Sequence, residues 1–226
     1  MPEQSTRTVE RALSLLATIC DDRGLNLSEA SRAVDLSPST ALRLLRTLEA
    51  SGFVRKEHDG TYWPGSRLMQ LGAQSLNNDS LVELCRPIME HLVALTGESV
   101  YLGVKGHRAT ALYIAIVEGT HSVRHTSWVG RVIPIESSAS GHVLLGRTPS
   151  DGYVVVDQGI EPDVTAIAAP IYSDDRIVAS LSLVIPSYRI TPRDRAQYGR
   201  ALVAATADAS AGLSKRILPM TEGEQP

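Results

Sequence analysis

The sequence has only two cysteines, Cys20 and Cys85, among 226 residues. Each stands among helix-forming apolar residues, and neither has a partner at the spacing of metal ligands. We therefore expect both to be small buried hydrophobic side chains. We predict no metal site and no cofactor.

Long apolar runs are also missing. No stretch approaches the roughly 18 to 20 apolar residues that a membrane-spanning helix needs. Residues 1–8 are polar and lack the apolar centre of a secretory signal. The sequence therefore predicts a soluble, cytoplasmic protein with no membrane contact.

The sequence also lacks an excess of positive charge. The net charge is -3, so any binding of nucleic acid must come from a local basic face. This argues against indiscriminate, charge-driven binding. The 226 residues, 43% of them hydrophobic, are enough for two domains with cores of their own.

The chain is organised around residues 37–51. Ser37 is placed to cap a helix, and Pro38 suits its first position because the missing N–H costs nothing there. Apolar residues three or four apart then form one buried stripe, namely Ala41, Leu44, Leu45 and Leu48. These patterns predict an amphipathic helix.

The opposite face of this helix suits the major groove of DNA. It carries hydroxyls near its start and two arginines one turn apart, and such groups bind phosphates and guanine edges. The residues are Ser39, Thr40, Arg43, Arg46 and Thr47. An ordinary amphipathic helix with a solvated polar side would show the same pattern. The neighbouring elements therefore decide between a DNA-binding helix and an ordinary one.

Two helices come before this one. Apolar residues recur with helical spacing from Val9 to Ile19, and Ser28 can cap a short helix through about Val34. A short helix joined by a tight turn to a second helix with a polar face is typical of the helix-turn-helix arrangement, whose second helix enters the major groove.

A two-stranded wing follows. Residues 53–56 and 61–63 alternate as strands around the turn at Asp59-Gly60. We expect Arg55, Lys56 and His58 on or near this wing, where they can reach DNA, although His58 could equally be an ordinary exposed loop residue. The candidate DNA-binding residues are Ser28, Ser37, Ser39, Thr40, Arg43, Arg46, Thr47, Arg55, Lys56 and His58.

These segments together resemble the DNA-binding domain of IclR-type bacterial transcription regulators. The resemblance lies in residues 11–16, 27–30, 36–48 and 52–54, and in the wing exit at residues 60–72. Winged helices of the MarR type share the broad pattern but are not expected to precede the second domain described next. The resemblance implies a winged helix-turn-helix domain over residues 1–64.

The rest of the chain predicts an α+β domain over residues 77–218, joined by a linker helix over 65–76 and followed by a disordered tail over 219–226. Strands are predicted at residues 98–104, 109–118, 122–129, 167–172 and 177–185, with a loop at 130–135. Helices are predicted at residues 81–95, with Pro87 inside, at 137–145 and from 191 to 213. We expect a largely antiparallel sheet with helices on one face.

Here the resemblance to the IclR type extends to its effector-binding domain. It rests on residues 130–141, 166–171 and 178–182, and it implies a GAF-like domain that binds a small metabolite, often a carboxylate. Backbone amides at the start of the 137–145 helix also suit a carboxylate, although the serines there could simply be helix caps. By resemblance Asp157 is a pocket acid, or alternatively a loop residue, and Ser182 is a pocket hydroxyl.

The candidate ligand-binding residues are Ser137, Ser138, Ala139, Ser140, Gly141, Asp157, Ala166 and Ser182. The sequence departs from the family pattern in a shortened stretch between Gly146 and Gly152, and in Gly159, which stands where an acid is usual. Ala166 and Val184 replace polar residues of some members. We therefore expect either a bulkier, more apolar acid or a domain that has lost its ligand.

Three functions are compatible with the sequence. The first is a sequence-specific regulator, more plausibly a repressor, that binds an inverted-repeat operator as a homodimer or tetramer. The second is a constitutive DNA-binding protein whose second domain only assembles oligomers. The third, a hydrolase using Ser138 or Ser140 with His142, is disfavoured because no acid is placed to orient the imidazole. We predict that the protein is not an enzyme.

Overall fold

The computed structural model describes residues 6–22, 24–77, 80–125 and 127–217. The chain divides into two compact units, Met1–Asn78 and Asp79–Pro226. The predicted tail over 219–226 lies outside the described residues. The α+β class is confirmed, with a helical, winged first unit and an antiparallel sheet in the second.

The first unit begins with three helices, α1 (Arg7–Asp21), α2 (Leu27–Ala33) and α3 (Pro38–Ala50). The strands β1 (Val54–Lys56) and β2 (Tyr62–Pro64) form an antiparallel hairpin, and α4 (Ser66–Asn77) follows. The hairpin extends towards α2 through a bridge between Leu25 and Tyr62. The buried side chains of this unit include Leu15, Ile19, Ala41, Leu45 and Tyr62.

Helix caps in this unit partly follow the predictions. Ser37 caps α3, because its hydroxyl accepts a hydrogen bond from the Thr40 amide at 3.3 Å. The cap of α2 is Asn26, and the prediction of Ser28 was wrong. Asn26 accepts from the Glu29 amide, and the Glu29 carboxylate accepts from the Asn26 amide. This reciprocal capping box starts the helix earlier and leaves Ser28 inside its first turn.

Replacing Ser37 by alanine should therefore lower the free energy of unfolding of the first unit by about 0.5 to 2 kcal/mol, because one amide of α3 loses its partner. Urea unfolding would measure the loss. Ser39→Ala is the matched control, since Ser39 lies within the helix and does not cap it. Equal losses in both variants would contradict the capping role.

The second unit contains three helices and six strands among its described residues. They are α5 (Ser80–Thr96), β3 (Ser99–Lys105), β4 (Thr110–Val117), β5 (Val132–Pro134), α6 (Ala139–Leu144), β6 (Val154–Asp157), β7 (Val164–Ser173), β8 (Arg176–Pro186) and α7 (Pro192–Ile217). The sheet order is β5-β4-β3-β8-β7-β6, and every described pair of neighbours is antiparallel.

Both faces of this sheet are covered, so the prediction of helices on one face was wrong. Helices α5 and α7 pack on the face that carries Val100 and Leu102, and together they enclose the main core. Helix α6 contacts β7 and β8 and packs with Ala168 and Val154 in a smaller cluster. The pleat explains this arrangement, because successive strand residues point to opposite faces.

Three other local predictions were also wrong. Residues 122–129 form no strand in their described part, whereas residues 132–134, predicted as a loop, form β5. Strand β6 was not predicted. Cys20 is exposed, unlike Cys85, which is buried as predicted. Cys20 lies on the side of α1 away from the core residues Leu15 and Ile19, which the apolar pattern alone does not reveal.

Within the described residues, no helix has both the length and the hydropathy that a bilayer-spanning segment requires.

Candidate DNA-binding face and ligand cleft

The polar face of α3 is accessible over its whole length. Ser39, Arg43, Arg46 and Thr47 are exposed and Thr40 is half-buried. An open groove on this face is lined by Ser39, Leu42, Arg43, Arg46, Thr47, Ala50 and Ser51, without an acidic residue. Among the described residues, neither arginine takes part in an ion pair. Two cationic side chains are therefore available to an anionic partner.

Hydroxyl groups at the start and in the middle of this face are held by hydrogen bonds. The Ser37 hydroxyl donates to the Thr40 hydroxyl at 2.9 Å and lies 3.2 Å from that of Ser39. Thr47 donates to the Arg43 carbonyl at 3.2 Å. Six of the predicted DNA-binding residues, Ser37, Ser39, Thr40, Arg43, Arg46 and Thr47, thus lie on one helix and its cap.

The other predicted DNA-binding residues are exposed but lie elsewhere in the first unit. Ser28 lies on α2, and His58 in the turn after β1. Arg55 forms an ion pair with Glu57 and lies 5.7 Å from the centre of the Trp63 ring. Lys56 lies 5.4 Å from the Tyr62 ring. The ion pair with Glu57 partly neutralises the charge that Arg55 could offer to DNA.

A cleft in the second unit is bounded by the start of α6, the sheet, His125, Trp128 and the segment 159–161. It encloses about 410 Å³ including its open mouth. Part of this volume is open solvent, so the enclosed space is smaller and the cleft is narrow. Its lining residues are Tyr113, His125, Trp128, Ser137, Ser138, Ala139, Val156, Gly159, Ile160, Glu161, Val164, Ala166 and Val184.

Four of the predicted ligand-binding residues line this cleft, namely Ser137, Ser138, Ala139 and Ala166. Ser140, Gly141 and Ser182 are buried and do not line it. Gly141 fits closely against the preceding loop, since a Cβ built on it would lie 2.0 Å from the Ile135 carbonyl oxygen. Only glycine can therefore occupy this position without moving the backbone.

Two amides at the start of α6 have no partner within the helix. Ser138 caps this helix by accepting from the Gly141 amide at 3.1 Å, and its hydroxyl donates to the Pro134 carbonyl at 2.8 Å. The first bond within the helix joins the His142 amide to the Ser138 carbonyl. The amides of Ala139 and Ser140 therefore have no partner within the helix, as is usual for a first turn.

Asp157 does not reach the cleft. Its carboxylate accepts from Thr165 at 2.7 Å and from Arg195 of α7 at 2.6 Å. These hydrogen bonds, first of all the one from Arg195, lower the pKa of Asp157. Strand alternation accounts for its position, because the preceding Val156 faces the cleft and the next side chain must face the other way.

Four polar or aromatic residues that line the cleft were not among the predicted site residues: Tyr113, His125, Trp128 and Glu161. His125 contacts Tyr101 through Nδ1, at 2.6 Å from the hydroxyl, and its Nε2 lies 3.5 Å from Oε2 of Glu161. Its ring lies edge-on to Trp128, with 4.6 Å between the ring centres. Arg131 stacks on Trp128 at 4.4 Å from the ring centre.

Buried hydroxyls lie behind the cleft. Burial raises the pKa of Tyr113, and the nearby Ser140 and Ser182 side chains oppose that rise. The contacts are poorly aligned, because the hydroxyl oxygens of Ser140 and Ser182 meet no partner with normal hydrogen-bond geometry. Ser140 and Ser182 are both fully buried, whereas Tyr113 lines the cleft.

Comparisons with known proteins cover both units. Residues 8–58 match the IclR helix-turn-helix domain, and residues 73–151 and 145–211 match the C-terminal domain of IclR bacterial transcriptional regulators. Among curated proteins, the regulator KdgR of Escherichia coli K12 is 30% identical over 158 residues, and the transcriptional repressor IclR of the same organism is 29% identical over 144. These alignments cover 70% and 62% of this chain, but only 60% and 53% of the relatives.

Solved structures show the same fold. An IclR family regulator from Brucella abortus matches with a TM-score of 0.81 at 20% identity, covering 94% of each chain. An IclR homolog from Microbacterium hydrocarbonoxydans, crystallised with 4-hydroxybenzoate, matches with a TM-score of 0.73 at 23% identity, covering 91% of this chain and 98% of the homolog. The matched families and curated relatives are transcriptional regulators and not enzymes. This chain belongs to the IclR family of bacterial transcriptional regulators.

Proposed function

We propose that this protein is a sequence-specific regulator that represses transcription by binding an inverted-repeat operator as a homodimer or tetramer. The exposed α3 face carries the proposal, because Arg43 and Arg46 are free of ion pairs among the described residues and no acid lines their groove. Two-fold symmetry of a dimer would match two half-sites separated by whole turns of DNA. Repression is favoured because occluding a promoter requires no contact with the polymerase.

The second part of the proposal is that the cleft binds a small organic acid that changes operator affinity. The first-turn amides of α6 that lack a partner within the helix favour a carboxylate, and Arg131 places a guanidinium beside the cleft. The remaining lining is mainly apolar, with Trp128, Ile160, Val164, Ala166 and Val184. An acid with an apolar body fits these features better than a short polar acid.

Binding of such an acid should raise the melting temperature. At a concentration of about 100 times the dissociation constant, a ligand stabilises its domain by about 2.7 kcal/mol. A panel of aliphatic and aromatic carboxylates, including the 4-hydroxybenzoate bound by the Microbacterium homolog, would test this by thermal shift. Ala166→Leu should abolish the shift, because the added atoms fill the narrow cleft.

The matched control is Ala204→Leu, an equal enlargement at an exposed position of α7, which should leave the shift unchanged. A shift that persists in Ala166→Leu would show that the cleft is not the site. No shift with any acid would favour the alternative, in which the second unit only assembles oligomers on a constitutive DNA-binding protein.

Operator binding is tested separately by footprinting on the promoter regions beside the gene. A protected site with dyad symmetry, weakened or strengthened by the acid that raises the melting temperature, is the expected result. A ligand can change DNA affinity only as far as it prefers one geometry of the dimer. A footprint without dyad symmetry would contradict the proposed dimer.

A further inference from the structure

The wing and the α3 face differ in their balance of charge. The wing is formed by β1, β2 and the turn between them, residues 54–64. Its charged side chains are Arg55, Lys56, Glu57 and Asp59. With histidine counted as neutral, their formal charges cancel, whereas the groove of α3 has two arginines and no acid. Because affinity for DNA of any sequence depends mainly on cations that neutralise phosphates, the wing is poorly suited to bind DNA without regard to sequence.

The Arg55 side chain has two partners within the wing. Arg55 and Glu57 are two positions apart, which places them on the same side of the extended chain, and they form an ion pair. Arg55 is also the cross-strand partner of Trp63, and its guanidinium carbon lies 5.7 Å from the centre of that ring, within the range of a cation–π contact. The Arg55 side chain is nevertheless 54% exposed, so a DNA phosphate can reach it.

The backbone that carries both partners of Arg55 is fixed. The Glu57 amide donates to the Thr61 carbonyl at 2.8 Å, across the base of the turn. The Trp63 ring packs closely against Gly24, where an added Cβ would lie 2.7 Å from a ring atom. An exposed ion pair is weakened mainly by the entropy lost when its side chains are held in one geometry. A fixed backbone on both sides lowers that cost and favours the pair.

The pair sets Glu57 in competition with DNA. A phosphate that contacts Arg55 has to replace the Glu57 carboxylate, and the carboxylate left behind repels the phosphate. On DNA of random sequence this cost matters most, because phosphate contacts supply essentially all of the affinity there. On an operator, base contacts from α3 add affinity that does not depend on Arg55.

We propose that Glu57 is a specificity-determining residue, which competes with DNA phosphates for Arg55 and so weakens binding to DNA that lacks the operator sequence. This inference rests on the proposed sequence-specific binding and gives the wing a part in it. The charge of Arg55 is then withheld from most DNA, in agreement with a protein whose net charge of -3 already disfavours indiscriminate binding.

A salt titration of DNA binding by the full-length protein tests the competition. The probe is a labelled duplex of mixed sequence, and binding is measured by fluorescence anisotropy. Glu57→Gln keeps the shape of the side chain and removes its charge, so it should raise the affinity about threefold or more. The dependence of log K on log salt should steepen by about one for each wing that contacts the DNA, because Arg55 then neutralises a phosphate.

Glu49→Gln is the matched control, because it removes the same charge from the same unit. Glu49 is exposed on α3 and does not line the groove of the two arginines. This variant should raise the affinity less and leave the salt dependence unchanged. Equal effects of Glu57→Gln and Glu49→Gln would overturn the inference, since only the net charge of the unit would then matter.

A double-mutant cycle with Arg55 identifies the group for which Glu57 competes. In protein that carries Arg55→Ala, Glu57→Gln should have no larger effect than Glu49→Gln, because no guanidinium is left to release. A full effect of Glu57→Gln in that background would also overturn the inference, because the carboxylate would then act on DNA directly and not through Arg55.

The operator identified by footprinting completes the test. Glu57→Gln should gain less affinity on the operator than on mixed-sequence DNA, so the ratio of the two affinities should fall about twofold or more. An equal gain on both DNAs would overturn the specificity role. If footprinting finds no discrete site, the proposed sequence-specific regulation fails, whereas the titrations on mixed-sequence DNA still decide whether Glu57 competes for Arg55.

Discussion

Replacing Arg189 by alanine should lower the free energy of unfolding of the second unit by about 3 to 5 kcal/mol, because it leaves a buried carboxylate without its partner. The side chain of Glu98 is only 2% exposed. Arg189 donates to both of its carboxylate oxygens, at 2.7 and 2.8 Å. Hydrogen bonding to Glu98 raises the pKa of Arg189, so the guanidinium stays charged throughout the accessible pH range.

Urea unfolding of three variants would measure this effect. Arg124→Ala breaks an exposed pair with Glu118 and should cost at most about 1 kcal/mol. The double variant Arg189→Ala with Glu98→Leu removes the stranded charge and should recover most of the loss. A single-variant loss no larger than that of Arg124→Ala would show that water reaches Glu98 and solvates it.

The same ion pair connects stability with the cleft. Arg189 also donates to the Val123 carbonyl at 3.0 Å, and His121 Nε2 lies 3.5 Å from Glu98. Both residues belong to the irregular segment between β4 and β5, which carries His125 and Trp128 to the cleft. We therefore expect Arg189→Ala to weaken ligand binding as well.

Long-range contacts of this kind explain why the segment was predicted wrongly. Its apolar residues Val123 and Val129 suggested a strand at residues 122–129. The described backbone is instead fixed by bonds from Arg189 and Ser99, which lie far away in the sequence. Local propensity cannot anticipate such contacts. Strand β6 is different, because its three consecutive valines were a local signal that could have been used.

Helix α3 shows what local chemistry can predict. Its cap, its first-turn proline and its buried stripe all depend on residues within a few positions of one another, and the structure has each of them. The residues of the cleft could not be predicted from local chemistry alone. Family resemblance and the expected helix start predicted Ser137, Ser138, Ala139 and Ala166, which line the cleft at the start of α6 and on β7. His125 and Glu161 come from irregular segments, where no periodic pattern indicates the direction of a side chain.

Replacing Arg43 by alanine should weaken operator binding by about 1 to 3 kcal/mol for each half-site if this arginine binds a guanine edge through two hydrogen bonds. A dimer presents the residue twice, so the total loss on an inverted repeat would be about 2 to 6 kcal/mol, or roughly 30-fold to 10⁴-fold in affinity. Gel-shift titrations on the operator and on random DNA at fixed salt would measure it.

Comparison of the two DNAs decides what Arg43 contacts. A loss on the operator that greatly exceeds the loss on random DNA would indicate that Arg43 recognises a base, whereas equal losses would show that it contacts only phosphate. Arg46→Ala, one turn along the exposed face, provides the comparison within α3. Arg200→Ala is the control for a lost positive charge, because Arg200 is exposed on α7 of the second unit.

If Arg46 contacts phosphate, Arg46→Ala should weaken binding to both DNAs about equally and reduce the salt dependence of binding by about one counterion for each half-site. Unchanged operator affinity in both Arg43→Ala and Arg46→Ala would contradict the proposal that the α3 face binds DNA, since these side chains are the two cations of its groove. Recognition would then have to depend on the wing, where Glu57 already pairs with Arg55.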